Sequence, residues 1–333
     1  MKAAVLYGKE DVRIEEIASP PLQPGEARIR IDAALTCGTD LKVFRRGYHA
    51  RMIVPPATFG HEFAGTILEI SPGVTTCRPG DRVVVANSAP CGVCFYCREQ
   101  QENLCDDLLF LNGAYAQEIV VPSRLVSKNL LQLQPTTSFH DAALTEPLAC
   151  VVQGIDDCQL KPDQRLLIIG SGPIGLMFAR LASHLGAQVT LAGRGENRLQ
   201  CALRLGAANV IDISREQLAG KFDVVIEAVG KPETWEQSVS LLRKGGTVNL
   251  FGGCPAGTTI SLDTGLIHYS NLKLIASFHH TPRTIRKALA CIEAGVIQAA
   301  DFVDGHCALD QLPALLAEMT RGNKAVKTLV LPG

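Results

Sequence analysis

The sequence predicts an α/β protein in which a β-rich region precedes a doubly wound parallel sheet. Short apolar segments separated by Pro and Gly occupy residues 1 to about 135, a pattern typical of antiparallel strands. From about residue 160 onward, strand-like and helical segments alternate, which indicates serial βα units in a parallel sheet. The glycine-rich turn GSGPIG joins the first strand and the first helix of that alternation. These three observations place the chain in the α/β class.

Length and composition limit what the protein can be. The chain has 333 residues, enough for two domains, and its 32 basic and 33 acidic residues leave a net charge of −1. That balance offers no broad attraction to nucleic acid or to an anionic membrane. Hydrophobic residues make up 47% and charged residues 20%, which excludes a disordered or collagen-like chain. Without an apolar run of roughly 18 residues or a signal-peptide core, we expect a cytoplasmic protein that binds small molecules.

The candidate elements follow two arrangements: strands in succession in the first region, and strands alternating with helices in the second. The segments AAVLY, ARIRIDAAL, GTILEI and DRVVVA read as strands of the first region, and RLLIIG, QVTLAG, FDVVIEAVG and TVNLFGG as strands of the second. From Thr284 the chain contains two more helical segments and a closing strand, KTLVLP. This tail is too short to form a domain, so we expect it to pack on the N-terminal region. The predicted domains are therefore residues 1–147 with 284–333, and residues 148–283.

Four cysteines form a metal-binding pattern. Twelve cysteines are a surplus for a reducing cytosol, where disulfides rarely persist. Cys91, Cys94, Cys97 and Cys105 follow the spacing C-x2-C-x2-C-x7-C, which suits a tetrahedral zinc ion bound by four thiolates. An iron–sulfur cluster uses related spacings and is the alternative. Four thiolates leave no open coordination position, so we predict a structural zinc in a lobe of residues 88–106.

A second metal site is predicted from three separate segments. Cys37 lies in CGTD, His61 and Glu62 follow one loop later, and Glu146 lies far downstream in TEPL. Each signal is weak by itself, because a lone cysteine is most often a small buried hydrophobic residue. Together they offer the Cys, His and carboxylate donors of a catalytic zinc, which takes three protein ligands and leaves one position for water or substrate.

The turn GSGPIG has the context of a dinucleotide-binding fingerprint, with a strand before it and a helix after it. Gly170 makes the tight turn, Gly172 lets the backbone approach a pyrophosphate, and Gly175 lets helix and strand pack closely. Pro173 and Ile174 open the helix, whose N-terminus presents N–H groups to the phosphates. We interpret the turn as a coenzyme site rather than as a turn without a ligand.

The next strand predicts which dinucleotide binds. An NAD-binding protein places Asp or Glu about 20 residues after the turn, where it accepts from the ribose 2′-OH. Here the strand QVTLAG ends in Gly193 without a carboxylate, and Arg194 and Arg198 can donate to a 2′-phosphate. Glu196 lies at the expected helix start, where an acidic residue is favourable for the helix itself. The sequence therefore predicts NADP rather than NAD.

Taken together, the motifs resemble one family, the zinc-containing medium-chain dehydrogenases/reductases. They span the chain and comprise CGTD, GHEFAG, GDRV, the four-cysteine lobe, EPL and GSGPIG. Within the family, the chain is most similar to the polyol branch of sorbitol, threonine and galactitol-phosphate dehydrogenases. There the glutamate of EPL stands where other alcohol dehydrogenases use a second cysteine. The resemblance implies a GroES-like catalytic domain, a Rossmann coenzyme domain, and a homodimer or homotetramer paired through the coenzyme domains.

The resemblance also implies roles for particular residues. Cys37 and His61 match zinc ligands of the family, and Glu146 matches the third protein ligand. Glu62 matches a carboxylate that binds zinc directly or through water. Thr39 matches the hydroxyl that passes the proton from the substrate oxygen.

Two positions depart from the family pattern, and two segments have open interpretations. Lys42 stands where many relatives have the histidine that ends the proton relay, and Gly193 replaces the usual aspartate, in agreement with the prediction of NADP. The basic segment Leu41–Arg51, which contains Lys42 and the stretch Arg45–Arg51, could hold an acidic or phosphorylated substrate, or it could be a solvated basic face. The pair His279-His280 could line the active site or lie at the surface.

The resemblance implies a zinc-dependent oxidoreductase that transfers a hydride between a secondary alcohol or polyol, or its ketone, and NADP(H). The polyol could carry a phosphate. The alternative is a non-catalytic NADP-binding sensor or structural protein on the same fold. An intact open metal site argues against it, because a binding module has no use for one. A zinc-free quinone reductase is disfavoured by both predicted metal sites.

Overall fold

The structure is a computed structural model that describes residues 1–49, 52–322 and 325–333. Arg51, the last residue of the basic segment, lies outside the described residues. The chain divides into two compact units. The first comprises Met1–Ala149 and His280–Gly333, and the second comprises Cys150–His279. The domain limits predicted from the sequence stay a prediction.

The N-terminal part of the chain contains mostly strands, with helices between some of them. In chain order its elements are β1 (Lys2–Gly8), β2 (Asp11–Glu16), β3 (Ala27–Leu35), α1 (Gly38–Arg46), β4 (Ala57–Thr58), β5 (Glu62–Ile70), β6 (Arg82–Val85), β7 (Ser88–Ala89), α2 (Phe95–Arg98), β8 (Leu109–Phe110), β9 (Glu118–Val121), α3 (Ser123–Asn129), β10 (Leu130–Gln132), α4 (Phe139–Ala142) and α5 (Thr145–Cys158). The boundary between the two units falls within α5.

Strands and helices alternate along most of the second unit, with β14 following β13 directly. Its elements are β11 (Arg165–Ile169), α6 (Pro173–His184), β12 (Gln188–Gly193), α7 (Glu196–Arg204), β13 (Asn209–Asp212), β14 (Phe222–Glu227), α8 (Pro232–Ser240), β15 (Leu242–Leu250), α9 (Thr264–Tyr269) and β16 (Lys273–Ile275). The strands pair in parallel in the order β13-β12-β11-β14-β15-β16. The order in which the chain adds strands reverses between β11 and β14, and in such sheets ligands bind beyond the carboxyl ends of the strands at this point.

The C-terminal part belongs to the first unit. Its elements are α10 (Pro282–Glu293), β17 (Val303–Ala308), α11 (Leu312–Thr320) and β18 (Lys327–Leu331). β18 pairs antiparallel with β3 and parallel with β17, which gives the strand order β10-β6-β5-β3-β18-β17, with β9 also paired to β3. β1 forms a separate sheet with β2 and β4. The doubly wound parallel sheet and the β-rich unit confirm the predicted fold class.

The two units bury their strands in different ways, as the alternating apolar pattern of the first and the continuous apolar runs of the second predict. In β3, Ile29 and Ile31 are buried in the core of the first unit, whereas Arg30 between them is exposed. In β11 the run Leu166–Ile169 has no exposed surface at all, because helices cover both faces of a central parallel strand. Each buried aliphatic side chain stabilises the fold by about 1.5–3 kcal/mol.

Across the described residues, no helix has the length and apolar character needed to cross a bilayer.

Candidate metal centres and coenzyme site

The start of α1 positions the thiol of Cys37. Cys37 is the N-cap of this helix, and its Sγ accepts from the backbone N–H of Thr39 at 3.4 Å. Asp40 completes a capping box, since its Oδ2 accepts from the backbone N–H of Cys37 at 3.1 Å. The local sequence CGTD thus holds the thiol at the end of β3.

Strand pairing brings His61 and Glu62 to the same place. Leu35, at the end of β3, is the register partner of Glu62, at the start of β5. As a result, the Cys37 Sγ, a ring nitrogen of His61 and a carboxylate oxygen of Glu62 lie within 4.8 Å of one another. His61 and Glu62 are both buried. The structure therefore brings these three predicted site residues together.

A buried hydrogen-bond chain orients His61. Its Nδ1 lies 3.1 Å from Asp40 Oδ1, and the hydroxyl of Tyr115 donates to Asp40 Oδ2 at 2.6 Å. Burial by itself would lower the pKa of His61, but the negative charges of Asp40 and Cys37 outweigh it, and the pKa lies well above the usual value. With Nδ1 facing a carboxylate, the other ring nitrogen is left to bind a metal, an arrangement common at metal sites.

Glu62 is held by a lysine from the far end of the chain. Lys327, at the start of β18, forms a buried ion pair with Glu62 Oε2 and donates to the carbonyl of Thr36 at 3.0 Å. Burial raises the pKa of Glu62, and the charge of Lys327 partly opposes this effect. Within the described part of the chain, Glu62 Oε1 has no hydrogen-bond partner. A buried acceptor left in this state costs about 1–3 kcal/mol, so the Cys, His and carboxylate donors fit a cation such as zinc.

Glu146 lies outside the cluster of Cys37, His61 and Glu62. It is buried near the start of α5, and its Oε1 is 3.7 Å from His280 Nε2, which lies 2.8 Å from Asn87 Oδ1. Burial raises the pKa of Glu146 to about 7. His280 is therefore a buried neighbour of Glu146 and not a surface histidine, and its place in the active site stays a prediction. The prediction that Glu146 supplies the third ligand stays a prediction.

The basic side chains of α1 lie at its surface. Lys42, Arg45 and Arg46 are exposed, whereas Thr39, near the first turn, is half-buried. The exposure of these three side chains agrees with the interpretation of the segment as a solvated basic face.

The four cysteines of the predicted lobe converge. Their Sγ atoms all lie within 4.8 Å of one another, and Cys97 Sγ is 3.9 Å from Cys91 Sγ and 3.5 Å from Cys94 Sγ. Ligands on a tetrahedral zinc with Zn–S bonds of about 2.3 Å would lie about 3.8 Å apart. Backbone N–H groups of Val93 and Cys94 donate to Cys91 Sγ and lower the pKa of that thiol to about 6. The lobe thus fits a fully thiolate-bound zinc.

The turn after β11 has the geometry that a dinucleotide needs. Gly170 has a φ of +126°, which favours glycine, and a Cβ at Gly175 would lie 1.9 Å from the carbonyl oxygen of Gly170. At Gly172, apart from the residue itself and its two chain neighbours, no heavy atom of the described residues lies within 4 Å of the position that a Cβ would take, so this backbone is open to a ligand. Pro173 begins α6 directly afterwards, followed by Ile174. The residues therefore fit a pyrophosphate at the helix N-terminus.

The residues predicted to select the coenzyme lie at and just after the end of β12, and their selection of NADP stays a prediction. β12 ends at Gly193, Arg194 is exposed and Arg198 is half-buried one turn into α7. The Glu196 carboxylate accepts from Gln200 Nε2 at 3.0 Å, as a pair on the helix surface does.

Sequence reasoning missed several of these neighbours. Asp40 could have been found, because it stands at the capping-box position of the quoted motif CGTD. Tyr115, Lys327 and Asn87 had no local signal, since each acts on a residue that only the fold brings near.

Known proteins share both the sequence and the fold. Residues 23–131 match the family profile described as alcohol dehydrogenase GroES-like domain, and residues 173–294 match that of zinc-binding dehydrogenase. D-altritol 5-dehydrogenase of Agrobacterium fabrum is 35% identical over 327 residues, with 94% of each chain covered. Sorbitol dehydrogenase of Bombyx mori is 29% identical, covering 98% of this chain and 97% of the relative. A zinc-binding dehydrogenase from Sinorhizobium meliloti, solved with NADP bound, has a TM-score of 0.91 at 29% identity, with 99% of each chain covered.

The chain therefore belongs to the zinc-containing medium-chain dehydrogenases/reductases, and it resembles their polyol branch. It is an oxidoreductase of the alcohol and polyol dehydrogenase class. The alternative of a non-catalytic binding protein is not supported, because the relatives along the whole chain are dehydrogenases.

Proposed function

We propose that the protein oxidises a secondary alcohol or polyol, or reduces its ketone, with zinc as the catalytic metal and NADP(H) as the preferred coenzyme. The observation that carries this proposal is the buried cluster of Cys37, His61 and Glu62, in which Glu62 Oε1 has no hydrogen-bond partner among the described residues. Such a donor set suits an open zinc site.

Each side chain has a separate task in this proposal. When bound, zinc would supply a Lewis acid for the substrate oxygen, and NADP(H) would accept or return the hydride. Cys37 and His61 hold the metal, and Asp40 keeps the His61 ring in its binding orientation. The hydroxyl of Thr39 relays the proton: during oxidation it accepts the proton that leaves the substrate oxygen while its own proton passes on towards solvent, and during reduction the transfer runs the other way.

The two glutamates differ in their distance from the cluster. We place Glu62 among the direct ligands, since its carboxylate lies within 4.8 Å of the donor atoms of Cys37 and His61. Glu146, beside His280, is the next carboxylate available to the metal or to a bound water. Lys327 compensates part of the negative charge that the cluster gathers.

The second zinc would be structural and would occupy the lobe of Cys91, Cys94, Cys97 and Cys105. The separation of the sulfurs and the N–H groups that surround them support a closed thiolate site. With a second zinc in the cluster of Cys37, the protein would carry two zinc ions per chain.

Preference for NADP(H) rests on the end of β12. Gly193 offers no carboxylate to a free 2′-OH, and Arg194 and Arg198 are the cationic side chains at this end. The neighbouring carboxylate of Asp212 accepts from the backbone N–H of Ser214 at 2.9 Å. The relative from Sinorhizobium meliloti was solved with NADP, which supports the same choice.

The names of the relatives support a substrate class, and the family resemblance supports an assembly. Because relatives are named for sorbitol and D-altritol, a sugar alcohol or its phosphate is the proposed substrate. We also propose a homodimer or homotetramer in the cytoplasm, where the twelve cysteines, none paired in a disulfide among the described residues, would stay reduced.

The decisive experiment combines metal analysis with kinetics. Fresh protein should contain two zinc ions per chain, and dialysis against a mild chelator should remove the catalytic zinc first, abolishing activity while the fold persists. A panel of sugar alcohols and sugar phosphates, followed by the absorbance of the reduced coenzyme, should give a higher kcat/KM with NADP than with NAD. One zinc or none, or an iron–sulfur absorption band, would contradict the metal assignment.

A further inference from the structure

We propose that Ser171, the second residue of the turn GSGPIG, is a specificity-determining residue of the coenzyme site. Its side chain occupies the space in which a carboxylate at position 193 would have to begin, and its hydroxyl holds the backbone of Arg194. This inference rests on the proposed preference for NADP(H), and it assigns that preference to a pair of positions rather than to the end of β12 alone.

The hydroxyl of Ser171 both donates to and accepts from the backbone of a single residue, Arg194. Its Oγ accepts from the backbone N–H of Arg194 at 3.1 Å and donates to the carbonyl of Arg194 at 2.8 Å. Ser171 is buried, so these bonds are protected from water. The point at which the Arg194 side chain leaves the backbone is therefore fixed relative to the glycine turn.

The same side chain leaves no room for a Cβ at position 193 unless Ser171 or its backbone shifts. A Cβ built on Gly193 would lie 2.4 Å from both the Cβ and the Oγ of Ser171, and 2.9 Å from its backbone nitrogen. Gly193 belongs to β12 and does not have the positive φ that favours glycine. Glycine is thus needed here for space and not for backbone conformation, and this space is taken by Ser171.

Two effects on the coenzyme follow from this one contact. A carboxylate, which would bind a free 2′-OH and repel a 2′-phosphate, can be introduced at position 193 beside Ser171 only if the local structure shifts. At the same time, the backbone from which the Arg194 guanidinium reaches out is held in place. Ser171 stands between Gly170 and Gly172, so its side chain can be changed without replacing a glycine of the turn.

The steric half of the proposal can be tested without any coenzyme. Gly193→Ala should lower the melting temperature, because the new methyl group overlaps Ser171. Ser171→Gly should restore much of that loss in the double variant, whereas Ser171→Ala should restore little, because its Cβ stays in place. If the changes in melting temperature of Gly193→Ala and Ser171→Gly were additive in the double variant, the proposed overlap between position 193 and Ser171 would be wrong.

The recognition half is tested with inhibitors that contain only the adenosine end. The wild type should bind 2′,5′-ADP more tightly than 5′-AMP, and Ser171→Ala should reduce this preference about three- to tenfold, the factor that one net hydrogen bond represents. The inhibition constant of 5′-AMP should change little, and the kinetic effect should fall on the KM for NADP rather than on kcat. Ser183→Ala is the matched control, because its hydroxyl donates to the carbonyl of Gly206 at 2.8 Å in the same unit.

Reversal of the preference completes the experiment. Ser171→Gly combined with Gly193→Asp should favour NAD, whereas Gly193→Asp by itself should weaken binding of both coenzymes. If the wild type shows no preference for 2′,5′-ADP, the proposed coenzyme is wrong. If the wild type shows the preference but Ser171→Ala behaves like Ser183→Ala, and Gly193→Asp by itself reverses it, then the role of Ser171 is wrong and the proposed coenzyme stands.

Discussion

The two candidate metal centres are built in opposite ways. The lobe takes all its donors from residues 91–105, and backbone N–H groups of the same stretch donate to its sulfurs. The cluster of Cys37, His61 and Glu62 depends on the junction of β3 and α1, on the start of β5, and on Lys327 from β18. One centre is local and contains a single kind of donor, and the other is assembled from distant segments with charged neighbours.

This difference suits different tasks. Four thiolates close the coordination shell of zinc, so a metal in the lobe can hold a loop but cannot reach a substrate. A mixed donor set with an unpartnered carboxylate oxygen, as the described residues show at Glu62, leaves room for exchange at the metal. The buried neighbours then take the part that backbone N–H groups have in the lobe: Asp40 and Tyr115 orient His61, and Lys327 compensates the charge of Glu62.

The largest effect should follow from breaking the lobe. Cys91→Ser removes one thiolate from a closed site, and structural zinc contributes about 10–16 kcal/mol of apparent binding energy in zinc-finger peptides. We expect loss of the lobe zinc and a protein that unfolds or aggregates at a much lower temperature. Thermal melts and metal analysis check this, with Cys77→Ser as a control at a buried cysteine outside both centres. A stable, inactive Cys91→Ser protein would show that the two centres have been interchanged.

The next largest effect concerns the charge compensation at the other centre. Lys327→Met leaves the buried carboxylate of Glu62 without its ion-pair partner. Removing one member of a buried pair destabilises a protein by about 3–5 kcal/mol. Denaturant unfolding of metal-free protein should show this loss, and Glu62→Gln combined with Lys327→Met should recover part of it.

Lys161→Met, at an exposed lysine, is the matched control and should leave the stability nearly unchanged. If Lys327→Met were no more destabilising than Lys161→Met, the ion pair between Lys327 and Glu62 would not stabilise the centre.

The two glutamates allow a sharper comparison within the same centre. Glu62→Gln should reduce zinc affinity more than Glu146→Gln, because only Glu62 lies in the cluster with Cys37 and His61. A loss of roughly 10–100-fold in affinity is typical when a group that supports a metal site is changed. Zinc retained after dialysis against a series of chelator concentrations measures the difference. The reverse order would make Glu146 the direct ligand.

The smallest effect should come from Tyr115→Phe. This change removes the hydroxyl that donates to Asp40 Oδ2 and leaves the aromatic ring in place. One hydrogen bond contributes about 0.5–1.5 kcal/mol, so zinc should dissociate up to about tenfold faster while the fold stays intact. Tyr7→Phe is the control, because its hydroxyl donates to Glu15 at the surface. Equal zinc dissociation rates in the two variants would contradict an orienting role for Tyr115.

Local patterns were sufficient wherever neighbours in the chain determine the structure. The turn GSGPIG predicted a strand, a tight turn and a helix, and the helix begins at Pro173, directly after Gly172. The serial alternation from Arg165 predicted the doubly wound parallel sheet, which the strand order confirms. The spacing of the four cysteines predicted a cluster because a few backbone turns are enough to bring their sulfurs together. In each case the interacting groups lie within one turn, one strand or one short loop.

The tertiary structure alone decided which distant side chains support the sites. Lys327 reaches Glu62 across 265 residues because β18 pairs with β3, which also pairs with β5. Tyr115 reaches Asp40 across 75 residues, and Ser171 leaves no room for a Cβ at Gly193 without a shift, although Gly193 ends a different strand. Periodicity and spacing carry information about a segment and its neighbours, whereas these contacts depend on strand register and close packing between segments. For this reason the residue types at the two metal centres were predictable from the sequence, and the distant side chains of Tyr115 and Lys327, which support one of them, were not.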